Sequence, residues 1–374
     1  MKILHVIPNL LKGGAQRLVI DICNELSKKE SLECKILVLS KTNNDFHYCS
    51  STLDITYCSV SFKLSIFKKN QINIDSYENF IDEFKPEIIH SHLYFSELVC
   101  HENPRSNIKY ISHLHSNRSL FKKKKLFDFF SQKNIYEFFE KKRLLKKYKK
   151  ANKKFISISI DTEQFFKSNF RKYSKNLVSL PNALNFQRFK AEIKDPSYKK
   201  ISLITVGNLL VKKNHIFLLD VVSYLKRKQV SVTLKIIGDG IERERISTKI
   251  TKLGLESNVT LYGQLDLVEE HLKKADFYVH SATYEPFGLV ILEAMASGLP
   301  VISLNGSGNA DIIKDKINGY LIKDQDPVKF GDVVLDLFQN KEKYKSISKK
   351  GFETCANYDI KNYVPQLLKI YKSQ

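Results

Sequence analysis

Residues 181–207, PNALNFQRFKAEIKDPSYKKISLITVG, decide how the chain is divided. Pro181-Asn182-Ala183-Leu184-Asn185 is rich in turn formers, Lys190–Lys200 is polar and contains Asp195-Pro196, and Ile201–Gly207 is a fresh apolar strand. Short β-rich runs precede this stretch at Lys2–Pro8, Cys34–Ser40, Glu87–Leu93, Lys109–His115, Phe155–Ile160 and Leu177–Leu180. They resume at Ile201–Gly207 and continue at Val232–Gly238, Val259–Gly263, Phe277–Ser281, Pro300–Leu304 and Gly319–Ile322. Between most of them lie helix-period segments, such as Gln16–Lys28 with Leu18, Ile22 and Leu26 on one face. Strands alternating with helices imply βα units and parallel sheets, and near-continuous apolar runs imply strands covered on both faces. Because the series restarts, the expected fold is α/β with two doubly wound Rossmann-like domains, 1–186 and 187–356. Ligands of such a pair are expected at the carboxyl ends of the strands, in a cleft where the two halves face each other.

A chain of 374 residues is long enough for two cores. With 43% hydrophobic and 27% charged residues it is neither disordered, collagenous nor a membrane-embedded bundle. It contains no run of 18 uncharged apolar residues, and its first 16 residues read as a buried strand and turn rather than a signal peptide. The six cysteines form no CxxC pair, so free thiols, a reducing cytoplasmic setting and no structural zinc are expected. The formal net charge of +21 is concentrated: Arg118–Lys154 holds 15 Lys and Arg against Asp128, Glu137 and Glu140. Such a patch favours nucleic acid, an anionic membrane or phosphorylated substrates.

Three segments carry residue types suited to binding a phosphorylated ligand. Gly13-Gly14 follows the first strand and precedes a helix, where glycine admits close approach and a helix N-terminus attracts anions; a plain turn has the same composition. Gly207–His215 places Lys212 and Lys213 in the first helical turn after a strand, which suits a phosphate as well as it suits solvent. Ser281–Ile302, SATYEPFGLVILEAMASGLPVI, is the most informative. Pro286 and Gly288 keep Glu285 in a loop, Leu289–Ser297 reads as a helix, and Gly298 closes it. Glu293 then sits among Leu292, Ala294, Met295 and Ala296, where a carboxylate needs hydrogen-bond donors: ligand hydroxyls or a lysine.

EPFGLVILE followed by AMASGLPV resembles the E-x7-E signature of retaining family 4 glycosyltransferases, whose fold is the two-Rossmann GT-B arrangement. The resemblance extends over nearly the whole chain. HVIPNLLKGGAQRLVIDICNEL is similar to the family's N-terminal GGxE segment, with Gln16 for Glu; LPNALNFQRF resembles its PNGVDxxxF linker; VGNLLVKKNH, IIGDGIERERI and NVTLYG follow in register. The resemblance implies that Glu293 binds the ribose hydroxyls of a nucleotide and that Glu285 touches the transferred sugar. It further implies that the amides of Phe287, Gly288 and Leu289 hold the diphosphate, and that Lys213 neutralises the leaving group without a metal. Gly14 would leave room for the diphosphate, and His115 would lie near the transferred sugar. Asn208 stands where the family has arginine; it donates a hydrogen bond but carries no charge, and Lys212 is the neighbouring cation.

Those roles describe a hexosyltransferase with no cofactor and no metal. It would carry a sugar, with retention, from a nucleotide-diphosphate donor (a UDP-sugar) to a lipid-linked or oligosaccharide acceptor in bacterial surface glycan synthesis, capsule or lipopolysaccharide. Within 118–154, Phe127, Phe130, Ile135, Phe138, Phe139, Leu144 and Leu145 interleave with lysines at near-helical spacing. That pattern suits a helix lying on an anionic membrane, hence a peripheral protein on the inner face of the plasma membrane, with no nucleic acid expected. Residues 357–374 read as a helix that, by resemblance, packs back on the first domain. The rival readings are a nucleic-acid or membrane-binding protein acting through 118–154, a UDP-sugar 2-epimerase on the same fold, and a catalytically silent homologue.

Overall fold

The computed structural model describes residues 1–42, 53–63, 70–118, 131–195 and 200–373, except the side chains of Gln132 and Lys133. The chain folds as two compact units, Met1–Pro181 with Tyr363–Gln374, and Asn182–Asn362. Among the described residues no helix is long and apolar enough to cross a membrane.

The strands of the first unit are β1 (Lys2–Ile7), β2 (Glu33–Val38), β3 (Asp54–Tyr57), β4 (Ser61–Lys63), β5 (Gln71–Asn73), β6 (Ile88–His92), β7 (Lys109–Leu114), β8 (Asn152–Ser157) and β9 (Leu177–Ser179). Seven form a sheet in the order β3-β2-β1-β6-β7-β8-β9, parallel throughout, while β4 and β5 pair as an antiparallel ribbon. Side chains alternate between faces along each strand. Leu4, Val6, Leu37, Ile89 and Tyr110 therefore pack together with Tyr77, Ile81 and Phe84 of the helix Asp75–Phe84. On the other face Ile7, Ile36 and Val38 meet Val19 and Cys23 of the helix Gly14–Leu26. A separate aromatic cluster joins Tyr148, Phe155, Phe166 and Phe170.

The second unit has β10 (Ile201–Val206), β11 (Val232–Ile237), β12 (Val259–Gly263), β13 (Phe277–His280), β14 (Val301–Leu304) and β15 (Tyr320–Ile322). They form one parallel sheet in the order β12-β11-β10-β13-β14-β15, so the direction of winding reverses between β10 and β13. The same reversal lies between β1 and β6 in the first unit. Each of the twelve runs read from the sequence overlaps a strand, although β8 opens three residues before Phe155–Ile160, on the polar Asn152-Lys153-Lys154. Strands β3, β4 and β5 had no such signal, because they are short and partly exposed and none is a buried apolar run.

The units divide at Pro181/Asn182, five residues before the expected boundary at 186/187. Phe186 and Phe189 are buried in the second unit, Arg188 reaches Glu269 through Nε and Nη2 at 2.9 Å each, and Ser297 Oγ donates to the Phe189 carbonyl. The return segment also starts later than the expected residue 357. The last helix, Ile360–Lys372, opens in the second unit, where the Ile360 amide donates to Leu184 O at 2.9 Å, and Tyr363–Gln374 belong to the first.

Phe155 and Phe330 are fully buried, one in each unit. Truncating either to alanine removes about 3–5 kcal/mol. Phe155→Ala and Phe330→Ala are expected to lower different steps of a denaturant unfolding curve followed by circular dichroism; a shift of the same single step by both contradicts separate cores.

Candidate active site

The Gly207–His215 segment and the E-x7-E segment follow the carboxyl ends of β10 and β13, at the reversal of strand order where open α/β sheets bind ligands. After β10, Gly207 (φ +156°) turns the chain into Asn208–Leu210 and the short helical turn Val211–Lys213. Gly238 leaves room for this turn: a Cβ on it would sit 2.0 Å from the Gly207 carbonyl oxygen. After β13, the loop is tied to this turn by Thr283 N–H donating to Lys212 O and Ser281 Oγ donating to Lys213 O, both at 2.9 Å.

Glu285 is buried in that loop and its carboxylate is ion-paired with Lys213 Nζ, while His280 Nε2 lies 3.2 Å from Oε2. Burial alone would raise its pKa; the Lys213 ammonium and the His280 contact outweigh it and hold the carboxyl down at about 2. His280 is itself kept neutral-leaning by burial, its Nδ1 3.2 Å from the Tyr278 hydroxyl. The loop's backbone is held from behind by the segment after β14: Glu285 N–H donates to Gly306 O at 2.6 Å and Gly308 N–H to Glu285 O at 2.9 Å. Buried Asn309 fixes that segment by accepting from Gly306 N–H and donating to Ser303 Oγ and Leu304 O.

Gly288 (φ +104°) caps the helix Leu289–Ala296, whose first amides have no intrahelical acceptor and form an anion-attracting end. Phe287, Gly288 and Leu289 are buried at this end, and Glu293 is half-buried one turn further on. Asn208 is exposed, and Lys212 Nζ lies 5.8 Å over the Tyr284 ring. Thus Asn208, Lys213, Glu285, Phe287, Gly288, Leu289 and Glu293 all occur in the second unit around the ends of β10 and β13. Sequence reasoning missed His280 and the Gly306–Asn309 wall. The only available signal for the wall was two glycines flanking Ser307, a non-glycine residue at φ +78°.

Gly14 and His115 belong to the first unit. Gly14 is exposed and is the first residue of its helix, which starts two residues before Gln16; buried Gln16 donates from Nε2 to Asn9 Oδ1 at 3.1 Å. His115 follows β7, its Nε2 3.1 Å from His92 Nδ1 and its ring stacked 4.2 Å from the more deeply buried His113. In the basic segment, 119–130 with Phe127 and Phe130 lie outside the described residues. Arg118 pairs with buried Glu97, and Arg143 and Lys147 pair with Glu102, so part of the positive charge is spent inside the unit. Leu144 and Tyr148 of the helix Gln132–Tyr148 are buried, whereas Phe138 and Phe139 are 41% and 49% exposed.

With this geometry in view, the class of fold is clear. Over the full length of both chains the structure superposes on Anabaena HepE, solved in complex with UDP and glucose, with a TM-score of 0.79 at 17% identity. The architecture is that of the GT-B glycosyltransferases. More narrowly, residues 186–354 match the family described as glycosyl transferases group 1. Poly(glycerol-phosphate) alpha-glucosyltransferase of Bacillus subtilis (strain 168) is 26% identical over 167 residues, 44% of this chain and 25% of that protein. The UDP-N-acetylglucosamine–peptide N-acetylglucosaminyltransferase GtfA subunit of Limosilactobacillus reuteri is 37% identical over 125 residues, 33% of this chain and 24% of that protein. The matched stretches thus span about a quarter of these relatives.

Since the folded-state pKa of Glu285 lies below its ordinary 4.5, the ion pair contributes stability that is full above about pH 4.5 and lost as pH falls toward 2. Lys213→Ala leaves a buried carboxylate facing only His280, which costs about 3–5 kcal/mol at neutral pH. Adding Glu285→Gln should recover much of that loss. Urea denaturation at pH 7 and pH 4 checks this; equal stability of all three proteins at both pH values contradicts it.

Proposed function

We propose that this chain is a retaining glycosyltransferase of the family 4 type, using a nucleotide-diphosphate sugar, a UDP-sugar, as donor. The observation that carries the reading is the buried Lys213–Glu285 pair at the strand-order reversal, beside the amide-bearing end of the helix Leu289–Ala296. A diphosphate has the charge and the acceptor oxygens that such an end and a lysine satisfy together. In this reading the donor draws the Lys213 ammonium from Glu285, and Glu285 turns its freed oxygens to hydroxyls of the sugar. Glu293 accepts from the ribose hydroxyls, and the amides of Phe287, Gly288 and Leu289 face the phosphates. Asn208 adds a neutral donor where an arginine would add charge, so Lys213 bears most of the neutralisation. Gly14 and His115 keep the roles the resemblance implies.

The sugar C1–O bond to the diphosphate breaks, the acceptor oxygen bonds to C1 on the same face, and the acceptor proton goes to the departing phosphate. Lys213 stabilises the charge that grows on that leaving group, so the step is proposed to run without metal or cofactor. The acceptor is proposed to be lipid-linked or an oligosaccharide of a bacterial surface glycan, capsule or lipopolysaccharide. Exposed Phe138 and Phe139 beside the exposed lysines 142, 146, 149 and 150 support seating on an anionic bilayer, at the inner face of the plasma membrane.

Lys213→Ala should weaken UDP by about 1.5–3 kcal/mol, roughly 10- to 150-fold, and leave uridine nearly unchanged. Glu285→Ala should lower turnover of the UDP-sugar far more than it lowers UDP affinity, with a product that keeps the donor's anomeric configuration by NMR. Inverted product, or unchanged kinetics in both variants, contradicts the assignment. Phe138→Ser with Phe139→Ser should reduce co-sedimentation with phosphatidylglycerol vesicles and spare UDP binding; undiminished sedimentation removes the membrane role.

A further inference from the structure

One face of the first sheet is lined by imidazoles. His5 of β1 is in register with His90 of β6, His92 of β6 with His113 of β7, and His115 follows just beyond. His5, His90, His92 and His113 are all at most 1% exposed. A parallel sheet covered on both faces ordinarily buries aliphatic side chains there, and every neutral imidazole brings one N–H and one lone pair that need partners.

The partners run in series. His90 Nδ1 is 2.6 Å from the Tyr371 hydroxyl, and that hydroxyl is 3.4 Å from His5 Nε2. His5 Nδ1 is 2.9 Å from His92 Nε2, and His92 Nδ1 is 3.1 Å from His115 Nε2. Both inner rings turn Nε2 toward Tyr371 and Nδ1 toward His115, so the series has a direction. With neutral rings, and with Tyr371 both donating and accepting, two hydrogen arrangements satisfy every link: all Nδ1–H, or all Nε2–H; a third, in which the Tyr371 oxygen accepts from both His90 and His5, leaves its own hydroxyl hydrogen without an acceptor in the series. The second leaves a buried N–H on His90 Nε2, an atom with no hydrogen-bond partner among the described residues; the first leaves only a lone pair there. An orphaned N–H is the rarer and costlier fault.

We infer that Tyr371, His5 and His92 form a directional hydrogen-bond relay that fixes His115 as the neutral Nδ1–H tautomer. Tyr371 is thereby a positioning residue, supplied to the first sheet by the last helix of the chain. The rings stay neutral because burial opposes their charge: His5 is held at about pKa 3, and His90, His92 and His115 are pushed well down. His113 and Arg118 add to this at His115, while Cys23, Cys34 and Tyr363 face Tyr371. Resting on the proposed reaction, the consequence is that His115 offers the transferred sugar a hydrogen-bond donor and not a base. His5, His90 and His92, and likewise His92, His113 and His115, also bring candidate metal-ligating atoms within 4.8 Å of one another. Nitrogens on a tetrahedral zinc stand about 3.3 Å apart around one point. Here the 2.9 and 3.1 Å contacts use different nitrogens of His92 and form a line.

The test is a long-range proton–nitrogen NMR spectrum of the full chain labelled with 15N-histidine at pH 6–8, assigned by the signals missing in His92→Gln and His115→Gln. The expected spectrum has His5, His92 and His115 neutral with hydrogen on Nδ1. Tyr371→Phe should turn the His5 and His115 signals into mixtures of both tautomers. Nε2–H or imidazolium signals at these rings in the unaltered protein overturn the relay, as does a stoichiometric shift of all of them on adding zinc. The unaltered protein decides the matter even if Tyr371→Phe misfolds, and no donor or acceptor is needed, so failure of the glycosyl-transfer reading is distinguishable. Where transfer is measured, Tyr371→Phe should lower kcat about tenfold, the scale of one hydrogen bond, with donor KM unchanged. An unchanged kcat overturns the positioning role.

Discussion

A carboxylate buried at the carboxyl end of β13 is the constraint around which the second unit's loops are arranged. Glu285 is tolerable there only because Lys213 arrives from the turn after β10 and His280 from the strand itself. Those contacts require the two loops to approach closely, which Thr283 N–H and Ser281 Oγ fix by donating to the Lys212 and Lys213 carbonyls. They also require a rigid rear wall. A Cβ on Gly308 would stand 2.0 Å from the Pro286 carbonyl oxygen, so that wall lies directly on the backbone of the Glu285 loop. The strand-order reversal supplies the space into which this pair and the neighbouring helix end can face a ligand. Ion pair, glycines and helix end thus act as one device: a charged site held ready in a unit whose core is otherwise aliphatic and aromatic.

The first unit manages buried polarity differently. Its histidine-lined face carries no ion pair between the rings; neutral imidazoles meet one another and Tyr371 through hydrogen bonds. Nearby, Glu97 is almost fully buried and is answered by Arg118 and the Tyr148 hydroxyl, which lowers its pKa against burial. Several residues of the basic segment are therefore structural before they are anything else. Among the described residues of the segment, Lys142, Lys146, Lys149 and Lys150 are exposed on, or directly after, the helix that carries Phe138 and Phe139.

Much of this was legible in the sequence because buried parallel strands write continuous apolar runs. Phe277–His280 and Val301–Leu304 were readable to within a residue or so, and the restart at Ile201 located the second sheet. Strand β3, DITY, was not, since an edge strand with half its residues exposed has no such run. Glu285, Glu293 and Lys213 were singled out by spacing and resemblance, and all three lie in the second unit. The pairing of Glu285 with His280 was not, because nothing local marks one imidazole at a strand end as a carboxylate partner. The histidine series depends on the registers of β1, β6 and β7 and on a helix more than 250 residues away, which a linear reading of His113 and His115 could not assemble.

The central claim is that the second unit binds a nucleoside diphosphate at the Lys213–Glu285 site. Calorimetric titration of the purified protein with UDP and with GDP, in the absence of metal, and again with Glu293→Ala, tests it most directly. The account predicts binding of UDP in preference to GDP and its loss in the variant. Binding of neither nucleotide, or UDP binding that Glu293→Ala leaves intact, would contradict it.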